Sequence, residues 1–554
     1  MDLPSLSLAD TTNGTSPGVE TGLSCAATVA TTLHAAGVRY VFGHPGGEVL
    51  DLIDAMQPAG LRFVLTGHES AAAFMAGVVG RLTGVPGVCL ATLGPGACNL
   101  VLGVANALLD RDPLLAFSAC TTTERSATHT KQNLALNDLF APITKWSVRL
   151  HGAATARTLS SAFEVACRPP RGPVFLSLGM DVAAAPDSPA GNCPASPVMA
   201  VNGHRDLSAI VRTLAVAKRP VAVVGIALHP SRDAAAVRRF LEATGLPFTV
   251  LPQAKGLVDE SSDRFLGTIC GGGDSRIVEW VESSDCLLGI GFDPVESSQG
   301  WYLRAPVFSI ANSSLSFGEY QPVAECCGEI TPLLFELLGE FRGSSGWTNA
   351  EILNLRNSTE RALCPPCESS SAGLSPYHVV RTLSESLPVN TIVSADVGAH
   401  KMLLAQTWQS SRPGSFLVSN GLSSMGFGVP AAIAASLVHP DCPVVGIIGD
   451  GGFGMMVQEL ETARRLGVKP LFVVFCDRSL AIVRIAQRIK GMPHVGVDFA
   501  PVNWAAVSAG FGASGESPQN LGEFRDAIER WARSPELTVL AVPIDPDLYQ
   551  GLSY

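Results

Sequence analysis

Long hydrophobic runs are missing from this chain of 554 residues. Its apolar stretches are as short as Leu471-Phe472-Val473-Val474-Phe475, far below the ~20 residues that cross a bilayer. No membrane-spanning helix is therefore expected, although mean hydropathy is +0.27. Charge is also scarce. At 16% of residues it argues against a disordered chain or a coiled coil. Basic charge is the rarer sign: 38 Lys and Arg stand against 49 Asp and Glu, the net charge is -11, and no basic stripe is visible. That excludes a general nucleic-acid binder. Residues 1–19 lack the basic-then-apolar order of a secretory signal and read as a disordered polar tail.

Cysteine is not scarce. The 14 Cys lie scattered in apolar segments, as at Cys89, Cys98, Cys120 and Cys286, which suits buried free thiols in a reducing cytoplasm. The only CxxC, Cys364 to Cys367, falls in a Ser-rich connection without a strand–helix context, so it reads as linker and not as a redox motif.

The length predicts about three domains. Residues 184–204 are rich in Pro, Ala and Ser, and residues 343–375 in Gly and Ser, so both read as linkers. They separate units at 20–183, 205–342 and 376–554. Each unit alternates short β-branched runs with Ala/Leu-rich amphipathic stretches, as in Val221–Gly225 (strand), Ala234–Ala243 (helix) and Cys286–Ile290 (strand). The expected fold is α/β: three doubly wound domains with parallel sheets, with ligands at the C-terminal ends of strands. Sheets covered on both faces account for the hydropathy.

The segment 444–487 is the most informative. Val444–Ile448 reads as a strand, Gly449-Asp450-Gly451-Gly452 as a sharp turn, and Met456, Leu460, Ala463 and Leu466 as one helix closed by Gly467. Leu471–Phe475 is the next strand. Asp450 and Asp477 each follow a strand end, so they converge if the strands are neighbours. Two such carboxylates need a cation between them, and oxygen ligands favour Mg²⁺ or Ca²⁺. Taken singly, Asp450 reads as a helix cap and Asp477 as a turn residue; the pair favours a metal–phosphate site.

These residues resemble the signature of thiamin diphosphate (ThDP) enzymes: GDG, then about 26 residues to a polar pair whose second member is Asp477. The resemblance implies three domains (pyrimidine-binding, central and diphosphate-binding) and Mg²⁺ held by Asp450, Asp477 and the Ser479 carbonyl. Cys476 replaces the family's Asn at the first position of the polar pair. Gly451 and Gly452 would border the diphosphate, as would Gly398, Ala399 and His400 in the turn Asp396-Val397-Gly398-Ala399-His400. Met425, within Phe416–Ala434, matches the residue that wedges the cofactor rings into a V, and the Ser423 carbonyl would accept the aminopyrimidine. Glu69, between Phe63-Val64-Leu65 and an Ala-rich helix, matches the Glu that bonds the pyrimidine ring nitrogen and so promotes loss of the thiazolium C2 proton. Gly94-Pro95-Gly96-Ala97-Cys98-Asn99 resembles the family's GPGATN loop, with Cys98 for Thr, and places Asn99 at the cofactor.

The resemblance covers nearly the whole chain and is nearest to the acetolactate-synthase-like branch. Phe42–Gly47, Phe140–Trp146, Gly291–Glu296, Arg484–Gln487 and Gly496–Phe499 fit it. Such enzymes decarboxylate pyruvate or a close 2-oxo acid and join the acyl carbanion equivalent to a second carbonyl. Gln132 and Gln487 match residues near the reacting carbon and at the substrate end. The active unit is implied to be at least a homodimer, with its site at the subunit interface. His44, Gly46 and Glu48 match the substrate pocket. Glu48 stands where catabolic acetolactate synthases carry Lys. It either opens a helix toward solvent or lines the pocket, and in the pocket it would favour a neutral aldehyde, ketone or ketosugar acceptor. His44, His68, His129 and His400 are candidate proton donors.

Three alternatives stay open: a benzaldehyde-lyase-like carboligase, a decarboxylase of another 2-oxo acid, and a catalytically silent subunit of this fold. Intact Glu69, Asp450 and Asp477 argue against silence. FAD, which anabolic relatives hold in the central domain, is not expected, because Gly271-Gly272-Gly273-Asp274 and Lys255-Gly256 are weak motifs that loops explain as well.

Overall fold

The computed structural model describes residues 22–128, 130–188, 193–197, 205–273, 275–297 and 300–553. The expected tail 1–19, part of the first linker, His129 and Asp274 lie outside them.

The first sheet comprises β1 (Tyr40–His44), β2 (Arg62–Leu65), β3 (Gly87–Ala91), β4 (Leu114–Cys120), β5 (Trp146–Leu150) and β6 (Pro173–Gly179). The second has β7 (Pro220–Val224), β8 (Phe248–Val250), β9 (Phe265–Thr268), β10 (Cys286–Ile290), β11 (Val307–Ala311) and β12 (Ala324–Cys327). The third has β13 (Ile392–Ala395), β14 (Phe416–Val418), β15 (Val444–Gly449), β16 (Leu471–Cys476), β17 (Ser514–Glu516) and β18 (Thr538–Pro543).

The pairings among these strands are parallel. Strand orders are β2-β1-β3-β4-β6-β5, β12-β11-β10-β7-β8-β9 and β14-β13-β15-β16-β18-β17. The third sheet thus repeats the topology of the first. The orders reverse direction between β1 and β3, between β7 and β10, and between β13 and β15, and the outer two turn back once more at β6 and β18. Such reversals open a crevice at the strands' C-terminal ends.

The outer units share one core. Helix Glu69–Thr83 packs against helix Gly428–Val438, and the buried alanines of both, Ala72 and Ala76 on one and Ala431, Ala432 and Ala435 on the other, belong to one core. Small residues on both sides let the backbones approach. Phe74 and Phe427 meet edge to face at 5.8 Å between centroids, and the Arg81 guanidinium covers the Phe427 ring. Each buried Phe contributes roughly 1.5–3 kcal/mol of apolar burial.

Three local readings change. The helix expected through Met456–Leu466 is two, Asp450–Met456 and Glu459–Leu466. The stretch 343–375 contains a helix, Asn349–Leu363, started by a Thr348–Glu351 capping box and burying Ile352, Leu355, Thr359 and Leu363. Its polar composition hid that face. Cys98 is exposed, not buried; all 14 cysteines are free thiols. No helix among the described residues is long and apolar enough to cross a membrane.

Candidate active site

Asp450 and Asp477 stand on adjacent strand ends, because β15 and β16 pair with Gly449 opposite Phe475. Both are more than nine-tenths buried. Arg478 adopts a left-handed φ of 55°, and its N–H donates to Asp450 Oδ2 at 2.8 Å. The Ser479 N–H donates to Asp477 Oδ1 at 3.1 Å. Asp450 Oδ1 and Ser479 Oγ are buried without a partner. Burial pushes Asp450 up to about 6; burial and then the neighbouring Asp450 charge push Asp477 up to about 8. Two crowded, poorly solvated carboxylates with an unused oxygen fit a hard divalent cation, whose charge would favour both ionised forms. Among the described residues no group of three His, Cys, Asp or Glu gathers, so further ligands would be backbone, water or phosphate oxygens. The Tyr549 hydroxyl, buried and unpartnered, is pushed well up by burial and by the same two carboxylates.

Beside this pair lies a cradle closed to side chains. Asp396 is fully buried and accepts N–H bonds from Gly426 and Phe427, both at 3.1 Å. Its carboxylate therefore fixes the start of the next segment and does not face outward from the turn expected to contact diphosphate. A Cβ on Gly452 would overlap Asp396 Oδ2. A Cβ on Gly451 would lie 3.3 Å from Met425 Cε and 3.1 Å from Phe499 Cε2, so both side chains close over bare backbone. His400 follows Gly398 and Ala399 at the start of helix Ala399–Thr407, with its Nε2 buried and unpartnered. Burial holds its pKa down at about 4, which keeps the imidazole neutral. Ser423 is exposed at φ 54°, its hydroxyl donating to the Asn420 carbonyl at 2.8 Å. Gln487 is half-buried on helix Ala481–Ile489; its Nε2 donates to the Val495 carbonyl while Oε1 has no partner.

The first sheet's edge carries a second constellation. Glu69 opens its helix after β2 at 8% exposure, and Asn99 Nδ2 donates to its Oε2 at 3.0 Å. A Cβ on Gly96 would sit 3.2 Å from Glu69 Oε1 and 3.0 Å from Thr92 Cγ2. Thr92 Oγ1 in turn donates to Glu48 Oε2 at 2.5 Å. Glu48 is half-buried in the turn Gly47–Val49, with its carboxylate turned onto Thr92. A Cβ on Gly46 would overlap Thr92 Oγ1, so that glycine makes room for the contact. Gln132 is exposed at φ 57°, its side-chain Cβ and Cγ lying close over Gly94. His44 is exposed, with Nδ1 2.9 Å from the Thr66 carbonyl.

No hydrogen bond or ion pair among the described residues joins the Glu69 edge to the Asp450–Asp477 pair. The two neighbourhoods meet where the Gly67 N–H donates to Glu459 Oε2 at 3.1 Å. Sequence reasoning missed a network that links the units: Asp110 Oδ1 accepts the N–H groups of Asn420 and Gly421 at 3.0 and 2.7 Å. Ser419 Oγ donates to Asn106 Oδ1 and accepts from the Ser424 N–H. The segment bearing Ser423 and Met425 is thus stitched to the first unit. An Asp after a helix gives no local signal of such reach.

In the central unit, Glu296 Oε2 accepts the Ile226 N–H at 2.7 Å at the mouth of β7, and Asp293 pairs with Arg111 of the first unit at 2.7 Å. Lys255 is fully engaged with Glu260. Gly272 and Gly273 pack against Ser553 and Gln406.

Three family models match in order: thiamine pyrophosphate enzyme, N-terminal TPP binding domain (residues 23–140), central domain (207–336) and C-terminal TPP binding domain (396–542). The chain is similar to an acetolactate synthase of Bacillus subtilis (strain 168), 30% identical over 521 residues, which span 92% of this chain and 91% of the relative. It is 29% identical to a catabolic acetolactate synthase of Raoultella terrigena, over 93% of this chain and 94% of the relative. It is also 29% identical to the acetolactate synthase isozyme 2 large subunit of Escherichia coli (strain K12), over 93% and 95%.

Proposed function

The chain belongs to the thiamin diphosphate enzymes, in their acetolactate-synthase-like branch, and from that premise we propose that it decarboxylates pyruvate or a close 2-oxo acid and joins the acyl fragment to a second carbonyl. The observation that carries this reading is the buried pair Asp450–Asp477 on neighbouring strands, with one oxygen of Asp450 unused. Bound there, thiamin diphosphate supplies a carbon nucleophile for the ketone and a sink for the electrons left when CO₂ departs.

The protein's part is placement and charge. Asp450, Asp477 and the Ser479 carbonyl would hold Mg²⁺. Gly451 and Gly452 leave backbone bare for the diphosphate, with Gly398, Ala399 and the neutral His400 facing it. Met425 would lie under the cofactor's rings, and the Ser423 carbonyl would accept from its aminopyrimidine. Glu69, oriented by Asn99, would hold a proton at the pyrimidine nitrogen. Gln132 and Gln487 contact substrate at the two rims. Among the described residues no hydrogen bond or ion pair of this chain joins Glu69 to Asp450 or Asp477, which leaves room for a site completed by a second chain, in at least a homodimer. Glu296 on the Ile226 N–H occupies a donor at the central crevice, which supports a flavin-free enzyme; a yellow purified protein overturns that point. Fourteen free thiols favour a reducing cytoplasm.

The test is Glu69→Gln. Calorimetry should show ThDP still bound, while ¹⁴CO₂ release from carboxyl-labelled pyruvate falls by ~10²–10⁴-fold. Undiminished release overturns the assignment.

A further inference from the structure

We infer that Glu48, seated on Thr92 beside Glu69, selects an uncharged, hydroxyl-bearing carbonyl compound as the acceptor and turns away a second 2-oxo acid. This rests on the carboligase reading above and names the substrate class that reading leaves open.

The placement follows from topology. Glu48 lies in the turn Gly47–Val49 just after β1, and Thr92 is the first residue after β3. These strands are neighbours, with His44 opposite Ala91, so the two residues meet in the crevice where the first sheet reverses order. Glu69 follows β2, on the other side of β1. Three consecutive strands therefore deliver Glu48, Thr92 and Glu69 to one rim.

Contacts then fix which way Glu48 points. Thr92 Oγ1 donates to one carboxylate oxygen, and no described residue hydrogen-bonds the other. No Lys, Arg or His forms an ion pair with Glu48 among the described residues. The Thr92 methyl faces Gly96, whose own Cβ position is in contact with Glu69 Oε1. Glu48 and Glu69 thus bracket a single threonine. Gly46 and Gly96 keep the space between them clear, because a side chain at either would press on Thr92.

A molecule reaching over Glu69 meets an uncompensated carboxylate and the lone pairs of Thr92 Oγ1. An incoming carboxylate would be repelled, and like-charge contacts of this kind shift specificity by about 10-fold to 100-fold. An aldehyde carrying a hydroxyl instead donates to Glu48. In the step itself the bond between C1 and C2 of the 2-oxo acid breaks, and CO₂ leaves without its electron pair. That pair forms the new bond from C2 to the aldehyde carbon, and the aldehyde oxygen takes a proton from water. The product is a 2-hydroxy ketone, with no net oxidation.

The experiment supplies the full-length protein, ThDP and Mg²⁺ with labelled pyruvate, alone and with equimolar glycolaldehyde. The wild type should give the hydroxy ketone over acetolactate by at least tenfold. Glu48→Gln, which keeps the Thr92 contact without the charge, should raise the acetolactate share about tenfold, and Glu48→Lys should favour acetolactate outright. In calorimetry without turnover, lactate should bind Glu48→Gln about tenfold tighter than wild type, whereas propane-1,2-diol should bind more weakly. Acetolactate as the main wild-type product, or an unmoved ratio in Glu48→Gln, overturns the inference while the carboligase reading stands. No CO₂ from any 2-oxo acid in the wild type overturns both.

Discussion

The Arg478 N–H donates to Asp450 Oδ2 at 2.8 Å, so the residue next to Asp477 locks the orientation of Asp450 across two strands. The bond spends one oxygen of Asp450 on the protein and leaves Oδ1 buried and unused. The arrangement is built for something absent from the polypeptide, and its components can be separated by mutation.

Asp477→Asn removes one of two repelling buried charges. We expect Mg²⁺ affinity, followed by calorimetry, to fall at least tenfold. The metal-free protein should melt higher than wild type in EDTA, because an amide at this site costs less than a second carboxylate. A lower melting point in EDTA would show that the pair is not strained without metal.

Gly452→Ala places a methyl where the Asp396 carboxylate lies. Overpacking of this kind costs ~1–3 kcal/mol. Asp396 must then loosen its grip on Gly426 and Phe427, so ThDP binding should weaken far more than the melting temperature falls. Equal losses in Gly451→Ala and Gly452→Ala would argue against the Asp396 explanation.

Asp110→Asn should free the segment from Asn420 to Met425. A neutral amide oxygen accepts the Asn420 and Gly421 N–H groups more weakly and lessens the support of Arg81. The expected cost is ~1–3 kcal/mol. Amide hydrogen exchange at Asn420 and Gly421 should speed up while exchange in β15 stays slow. Uniform acceleration across the third unit would mean a general loss of packing.

Phe427→Ala removes the ring shared by the first and third units. It should cost ~3–5 kcal/mol in denaturant unfolding. Because one core spans both units, wild type and mutant should lose their α/β signal from both in the same transition. Two separated transitions in wild type would show that the shared core is not cooperative.

Legibility followed the range of the interactions. The strands around Asp450 and Asp477 were readable because each apolar run is bounded by Gly or polar residues, and strand neighbours in a doubly wound sheet place their following residues together. Glu69 and Asn99 were readable through motifs at the ends of β2 and β3. The break after Met456 and the helix Asn349–Leu363 were less so, since their faces depend on neighbours that composition does not name.

What the amino-acid sequence by itself determined is the chemistry at the ends of strands: the acid pair, the glycines beside it and the lone Glu69. The acid pair and its glycines follow from local periodicity and from the rule that parallel sheets present their C-terminal ends to ligands, whereas Glu69 stood out through the family resemblance. Only the tertiary structure decided where Glu48 points and what holds the segment carrying Ser423 and Met425. Glu48 meets Thr92 because β1 lies beside β3, and Asp110 reaches Asn420 because two Ala-rich helices bring the outer units into one core. A hydrogen bond between residues 310 positions apart leaves no periodic trace, since nothing in either local segment depends on the other until the chain has folded.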